Sequence, residues 1–511
     1  MTPSNDLFDL IKSMSRKEKI HFRVHTKRLS SSDSKKYLNL FDLIAGQSTY
    51  QENAIRRQIG MTGKNAQFAV LKNYLYNAIV THLTNFHTEN NEIYQAREYL
   101  RTANMLYDKQ LIRQSLKYIQ KAKVIAEKNH RYYDLMGILF QEELINKNSP
   151  DIKQYSETYD MHFKKELGVI EQYLNTRQYI YIDCQLLNAI RTTDNFSHNK
   201  SQEKILHILQ HPMLRDETQA ISLFSQIYFN TINGICYHIL ADDEKSYNYR
   251  KKLVDVMERD LLNTSGYFGN YIGSLHNLTV TEIKLKKFAE AELHLAKLEA
   301  FQQEYSKQLS ERSKVLIKSS HALNTLSLLG YCGDKTTTMS FIVTTETFIT
   351  RDIKKMDYRY LIHIYYSIAY TAFKFSEYAI AIKYLTKLNV ESSSGKLDRY
   401  LQRGYRLLLL MVHLEMGNFR LLQYMVINTY RYLLKIGHLT KFDKAIISFI
   451  RSNSMDKKAL LQFQKQLQAA KADKFEAQEF SHLDVISWVE SKLEKKPFIE
   501  VYRKNGSGYR P

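Results

Sequence analysis

"FKFSEYAIAIKYLTKL", residues 373–388, is the stretch whose reading decides the fold of this chain. It is either one amphipathic helix among many or one unit of an array. Tyr378 opens an apolar face that Ala381, Leu385 and Leu388 continue at helical spacing. Extended backwards, "YLIHIYYSIAYTAFKFSEYAIAIKYLTKL" (360–388) adds a preceding helix with Ile368 and Ala369 near its end. Small residues let two helices approach closely, and a large residue just after the turn fills the groove between them. The stretch therefore predicts a helix-turn-helix hairpin.

The pattern recurs. "LLLLMVHLEMGNFRLLQYM" supplies Gly417, Phe419 and Leu422, and "VTEIKLKKFAEAELHLAKL" supplies Phe288, Ala291, Leu295 and Leu298. "NMLYDKQLIRQSLKYIQKA" supplies Ile112, Ser115, Ile119 and Ala122, with poorer copies around Ser246 and Gly333. The position after the turn falls at Ile112, Asp243, Phe288, Lys335, Tyr378 and Phe419, with successive gaps of 131, 45, 47, 43 and 41. The first gap is close to three further units, so residues 151–210 fit by interpolation. "DKTTTMSFIVTTETFIT" (334–350) is rich in β-branched residues and locally favours a strand, but its flanking units predict helix.

An apolar-small pair, an aromatic after the turn, then alanine and two apolar positions resembles a tetratricopeptide (TPR) repeat. The resemblance implies an all-α protein, a right-handed α-solenoid of seven to nine TPR-like hairpins, acting by non-catalytic binding of another macromolecule. The period of 41 to 47 exceeds the usual 34 and the closing proline is missing. Each helix is thus expected to run for about 20 residues, or ~30 Å.

Composition agrees with helix. Only five prolines occur in 511 residues, and none between Pro212 and Pro497. Cys184, Cys236 and Cys332 are far apart in the sequence, with no CxxC spacing, which argues against disulfides or a zinc module and suits a reducing cytoplasm. The opening residues lack an apolar signal-peptide region, and "LLLLMV" is far short of a membrane span. A cytoplasmic location is expected. Net charge is +6 over residues 1–90, zero over 91–300, +5 over 301–400 and +9 over 401–511. Such basic ends attract acidic proteins, nucleic acid or anionic lipid, and equally suit a solvated surface.

Three regions are predicted: a helical N-terminal module (1–90), a TPR-like solenoid (91–470), and a C-terminal capping helix with a flexible tail (471–511). In the first, "SRKE" (15–18) is a capping box. The combination "SRKEK…KKYLNLFDLI…LKNYLYNAI" ahead of helical repeats also resembles a group of bacterial TPR-type proteins, which implies no particular activity.

Catalysis finds no support. "GYCGDKTT" fails the phosphate-loop spacing, and no GxSxG or HExxH occurs. ExxH at Glu18/His21, Glu127/His130 and Glu479/His482, and HxxxH at His21/His25 and His207/His211, lack further ligands and are assigned no function. No enzyme activity and no cofactor are expected. The family resemblance points His363, Tyr366, Tyr370 and Phe373 into a groove for a protein or peptide, with packing between units as the competing role. It also places Arg97, Arg101 and Asn104 where some members clamp a terminal carboxylate, but other units lack the matching residues. The rival reading is nucleic-acid binding, with 51–85 as a helix-turn-helix. Lys64, Asn65 and Gln67 would then start the recognition helix and Lys72 would lie near phosphates. Phe68, Leu71, Tyr74, Leu75 and Ile79 on that helix look like core and favour a structural cap. "RYLQRGYRLL" (399–408) and "YRYLLK" (430–435) interleave basic and aromatic residues that single strands could stack on. The sequence leaves partner identity and oligomeric state open.

Overall fold

The computed structural model describes residues 5–28, 32–147, 152–192, 198–262, 265–393, 399–435, 439–472 and 483–506. Among these the chain is all-helical with no strand, and successive helices pack in neighbouring pairs. It divides into two compact units, Met1–Glu171 and Gln172–Pro511.

The first unit opens with α1 (Asp6–Ser13), α2 (Arg16–Arg28), α3 (Ser32–Gly46), α4 (Glu52–Gln58) and α5 (Asn65–Asn90). Their core gathers Leu7, Ile11, Phe22, Leu40, Phe41, Ile44, Ile55, Phe68, Leu71, Leu75 and Ile79. The capping box forms at the start of α2: the Ser15 amide donates to Glu18 Oε2 at 2.6 Å and the Glu18 amide to Ser15 Oγ at 3.3 Å. Next come α6 (Glu92–Asp108), α7 (Ile112–Lys128) and α8 (Tyr132–Lys147). α9 (Ile152–Thr192) runs for 41 residues and contributes its first part to this unit and its remainder to the second.

The second unit continues with α10 (His198–Leu209), α11 (Pro212–Arg215), α12 (Leu223–Ile239), α13 (Asp243–Asp260), α14 (Phe268–Lys284) and α15 (Phe288–Glu304). It goes on through α16 (Glu311–Cys332), α17 (Lys335–Asp352), α18 (Tyr358–Lys374), α19 (Tyr378–Ser393), α20 (Arg399–Glu415) and α21 (Phe419–Lys435). It ends with α22 (Lys441–Ser452), α23 (Lys457–Lys471), α24 (Val485–Glu494) and α25 (Phe498–Gly506).

Each of the six positions expected after a turn is the first residue of a helix: α7, α13, α15, α17, α19 and α21. The fourth residue of each of those helices is buried: Ser115, Ser246, Ala291, Thr338, Ala381 and Leu422. The close approach is explicit in two hairpins. Ser115 Oγ donates to the Ala103 carbonyl at 2.7 Å, and Ser246 Oγ to the Gly234 carbonyl at 2.8 Å, each twelve residues upstream. The same offset from Ala381 reaches Ala369, which is also fully buried.

Five of the turns share one backbone device. Gln110, Ala241, Lys286, Ser376 and Gly417 lie in the left-handed region, each two residues before the second helix. The next amide reaches back to the carbonyl five residues earlier, as in Leu111 to Leu106, Asp242 to Tyr237 and Asn418 to His413. This is the Schellman closure, ordinarily built on glycine. Four of the five positions carry a side chain instead, which costs up to about 1–2 kcal/mol each. The turn before α17 differs: Gly333 has φ −77 and Asp334 caps the helix through the Thr337 amide at 2.8 Å.

α17 is helical despite its β-branched composition. Thr344, Thr347 and Thr350 return their hydroxyls to the carbonyls of Ser340, Val343 and Glu346 at 2.9–3.1 Å. That satisfies polar groups which would otherwise compete with the helix. In the interpolated stretch 151–210, α9 runs from Ile152 to Thr192 without a turn. Its later part shares one core with α10 and α12, in which Tyr179, Ile182 and Leu186 gather with Ile205, Ile208, Phe229 and Ile232.

Candidate partner-binding surfaces

The aromatic face expected on the first helix of its hairpin sits near the end of α18. His363 is exposed, Tyr366 and Tyr370 are half-buried, and Phe373 is buried. Tyr366 and Tyr370 stack at 6.3 Å between centroids. A Cβ added at Gly404 of α20 would lie 3.3 Å from the Tyr366 hydroxyl, so Tyr366 packs on the neighbouring hairpin. Tyr370 and Phe373 meet the C-terminal part of the chain. The Asp484 amide donates to Tyr370 Oη at 2.9 Å, Phe498 lies 5.5 Å from Phe373, and Tyr502 lies 6.5 Å from Tyr370. This face is therefore occupied by the chain itself.

Just beyond it, Lys374 is buried. Its ammonium is 3.9 Å from the Tyr502 ring, 4.4 Å from Tyr370 and 5.2 Å from Tyr331. Burial pushes its pKa down to about 7, Arg503 adds to the fall, and Asp484 opposes it.

Arg97, Arg101 and Asn104 lie on α6 in the first unit. Arg97 Nε pairs with Asp134 at 3.0 Å, Arg101 pairs with Glu98 at 2.7 Å on the same helix, and Asn104 is exposed. Such exposed pairs contribute little to stability. Both arginines spend charge on the chain's own carboxylates.

At the N-terminus of α5, Lys64 and Gln67 are exposed and Asn65 accepts a hydrogen bond from Arg56. Gly60 and Gly63 shape the turn before it with φ of +67 and +78. Lys72 donates to Glu52 at 2.9 Å and lies 5.3 Å from the Tyr50 ring, which ties up its charge. Phe68, Leu71, Leu75 and Ile79 face the core, whereas Tyr74 is exposed and stacks on Tyr37 at 4.3 Å. The basic-aromatic stretches are engaged internally: Arg406 covers the Tyr432 ring at 4.1 Å and Arg451 the Tyr430 ring at 5.0 Å.

The two HxxxH pairs separate. His211 caps α11 by accepting from the Met213 amide at 3.3 Å. His21 and His25 both face His82 of α5, with His21 Nδ1 3.0 Å from His82 Nε2. Among the described residues no group of three or more ligating side chains is arranged to hold a metal. Glu127 pairs with Lys165, and Glu479/His482 lie outside the described residues. Burial, then the charges of His21 and His25, push His82 down to about 4, with Glu89 opposing. Between pH 6.5 and about 4 the unfolded chain takes up a proton at this position that the fold refuses. Stability is therefore expected to fall as pH drops through that window and to be flat above it. Urea melts followed by circular dichroism at neutral pH and near pH 5 check this, and His82→Leu should flatten the difference.

One surface was not anticipated. α21 exposes Phe419, Leu421, Tyr424, Ile427 and Leu434, with Arg420, Arg431 and Lys435 exposed beside them. A shallow groove of about 200 Å³ runs between α21 and α22, lined by Phe419, Val426, Ile427, Ile450 and Arg451 among others. Its signal lay in "FRLLQYMVINTYRYLLK", where apolar residues occupy more of the circumference than one buried stripe needs. Among the described residues no helix is long and apolar enough to cross a membrane. Comparison with family models, curated proteins and solved structures finds no match to this chain.

Proposed function

We propose that this chain is a cytoplasmic, TPR-like right-handed α-solenoid that works as a non-catalytic scaffold, holding a protein partner against the faces of its helical hairpins. The observation that carries the reading is the exposed apolar side of α21 with its adjoining groove, because solvent-facing apolar surface of this extent marks an interaction site. The arginines and lysine beside it favour an amphipathic helix with an apolar face and an acidic rim.

The test is a pull-down with the full chain from lysate, with and without nuclease, at low and moderate salt. A partner retained under both treatments and lost with Ile427→Asp supports the scaffold. Ile427 is exposed, so that substitution leaves the core intact. Capture that disappears with nuclease and falls steeply with salt points instead to phosphate contacts through the N-terminal module. That outcome would replace the scaffold with a nucleic-acid-binding regulator.

A further inference from the structure

α25 is nine residues long, too short to hold helical form alone in water. Its order comes from docking. Phe498, Val501 and Tyr502 are buried, and the first and last of these are one turn apart. Phe498 packs edge-on against Phe373, and Tyr502 lies 5.0 Å from Tyr331 and 6.5 Å from Tyr370. Arg503 donates to the Gly333 carbonyl and its guanidinium sits 5.6 Å from the Phe375 ring. A three-residue connection joins α25 to α24, with Lys495 in the left-handed region at φ 53.

The nearest ring to the Lys374 ammonium is Tyr502, carried by α25 itself. Gly330 leaves the space for the ammonium, since a Cβ there would come within 2.8 Å of it. The groups facing Lys374 come from every element around it: Tyr331 on α16, Tyr370 on α18, Asp484 ahead of α24, and Tyr502 and Arg503 on α25. Docking buries the ammonium under Tyr502 and brings Arg503 towards it as a like charge, with Asp484 as the larger, opposing influence.

We propose that α25 is a releasable plug on a helix-docking face formed by the ends of α16 and α18, that protonation of Lys374 favours its release, and that the bared face takes a partner helix with two aromatic residues one turn apart. The partner rests on the scaffold reading above; the release does not.

The sign follows from the two states. Docked, Lys374 ionises near 7; with Tyr502 removed the ammonium meets water and returns towards 10.5. Undocking therefore takes up a proton, and its equilibrium constant rises about tenfold per pH unit as pH falls from 9.5 towards 7, levelling below. The three tyrosines are held above their ordinary values by burial, as is Cys332, and so do not create this slope.

Hydrogen exchange of the full chain, read by mass spectrometry from about pH 7 to 9.5 and corrected for intrinsic rates, measures the opening of residues 498–506 against α18 as reference. We expect α25 to open more readily than α18, with the stated slope. In Lys374→Met the slope should vanish and opening near pH 7 should fall at least about a hundredfold. Equal protection of α25 and α18 at every pH overturns the proposal, as does a slope that survives in Lys374→Met. Should that variant not fold, the wild-type slope decides alone. No partner enters this measurement, so its failure is distinct from that of the scaffold.

Discussion

Replacing Arg403 with methionine is expected to destabilise the second unit by about 3–5 kcal/mol, the usual loss when one member of a buried ion pair is removed. Arg403 and Asp443 are both buried. The guanidinium donates through Nε to Asp443 Oδ1 at 2.7 Å and through Nη2 to Thr440 Oγ1 at 2.9 Å. Asp443 is also committed to the capping box of α22, where its carboxylate accepts from the Thr440 amide at 3.0 Å and its amide donates to Thr440 Oγ1 at 3.1 Å. Methionine would fill much of the space and leave a carboxylate in the core with no countercharge.

Burial already raises the Asp443 pKa, and Arg403 is the first influence pulling it back. The variant should therefore lose least at acidic pH, where the carboxyl is protonated, and most above neutrality. Trp488 is the chain's single tryptophan and is buried in the same unit, so its fluorescence in urea reads this region alone. Pairing the change with Asp443→Leu should recover much of the loss. A single variant within about 1 kcal/mol of wild type would show that the pair contributes nothing specific.

Ala381→Trp is expected to cost about 3 kcal/mol or more, at the upper end of overpacking, or to prevent the second unit from folding. Ala381 has no exposure and sits among Ile368, Ala369, Tyr384 and Leu385 in the largest core. The equivalent positions in two other hairpins show how little room exists, since Ser115 and Ser246 each touch a backbone carbonyl of the facing helix. Ala381→Ser supplies the control, as a hydroxyl there has the same kind of acceptor and should cost less than about 1 kcal/mol. Thermal melts by circular dichroism compare the two. A tryptophan variant with unchanged stability would mean that the hairpin register is wrong.

The hairpin starts were legible because a local rule produces them. A small residue, a turn and an apolar stripe lie within about twenty residues of each other, as at Ala369, Ser376 and Leu385. α9 was less legible, because nothing within "EQYLNTRQYIYIDCQLL" marks where one hairpin ends and the next begins, and the helix simply continues. The fate of Tyr370 and Phe373 was hidden for a different reason. Their covering residues, Asp484, Phe498 and Tyr502, lie more than a hundred positions away, and periodicity within a helix carries no information about such pairs. The partner of Lys72 was hidden for the same cause, since Glu52 is twenty residues distant on another helix.

The turns described above are closed by main-chain bonds, and glutamine, alanine, lysine, serine and glycine all occupy the same left-handed position. A joint built that way accepts different side chains, each at a cost of up to about 1–2 kcal/mol relative to glycine. Substitutions can accumulate at it while the angle between its helices is retained, so shape outlasts sequence. It also lets a hairpin be duplicated or deleted as a cassette, since the new junction needs no tailored chemistry.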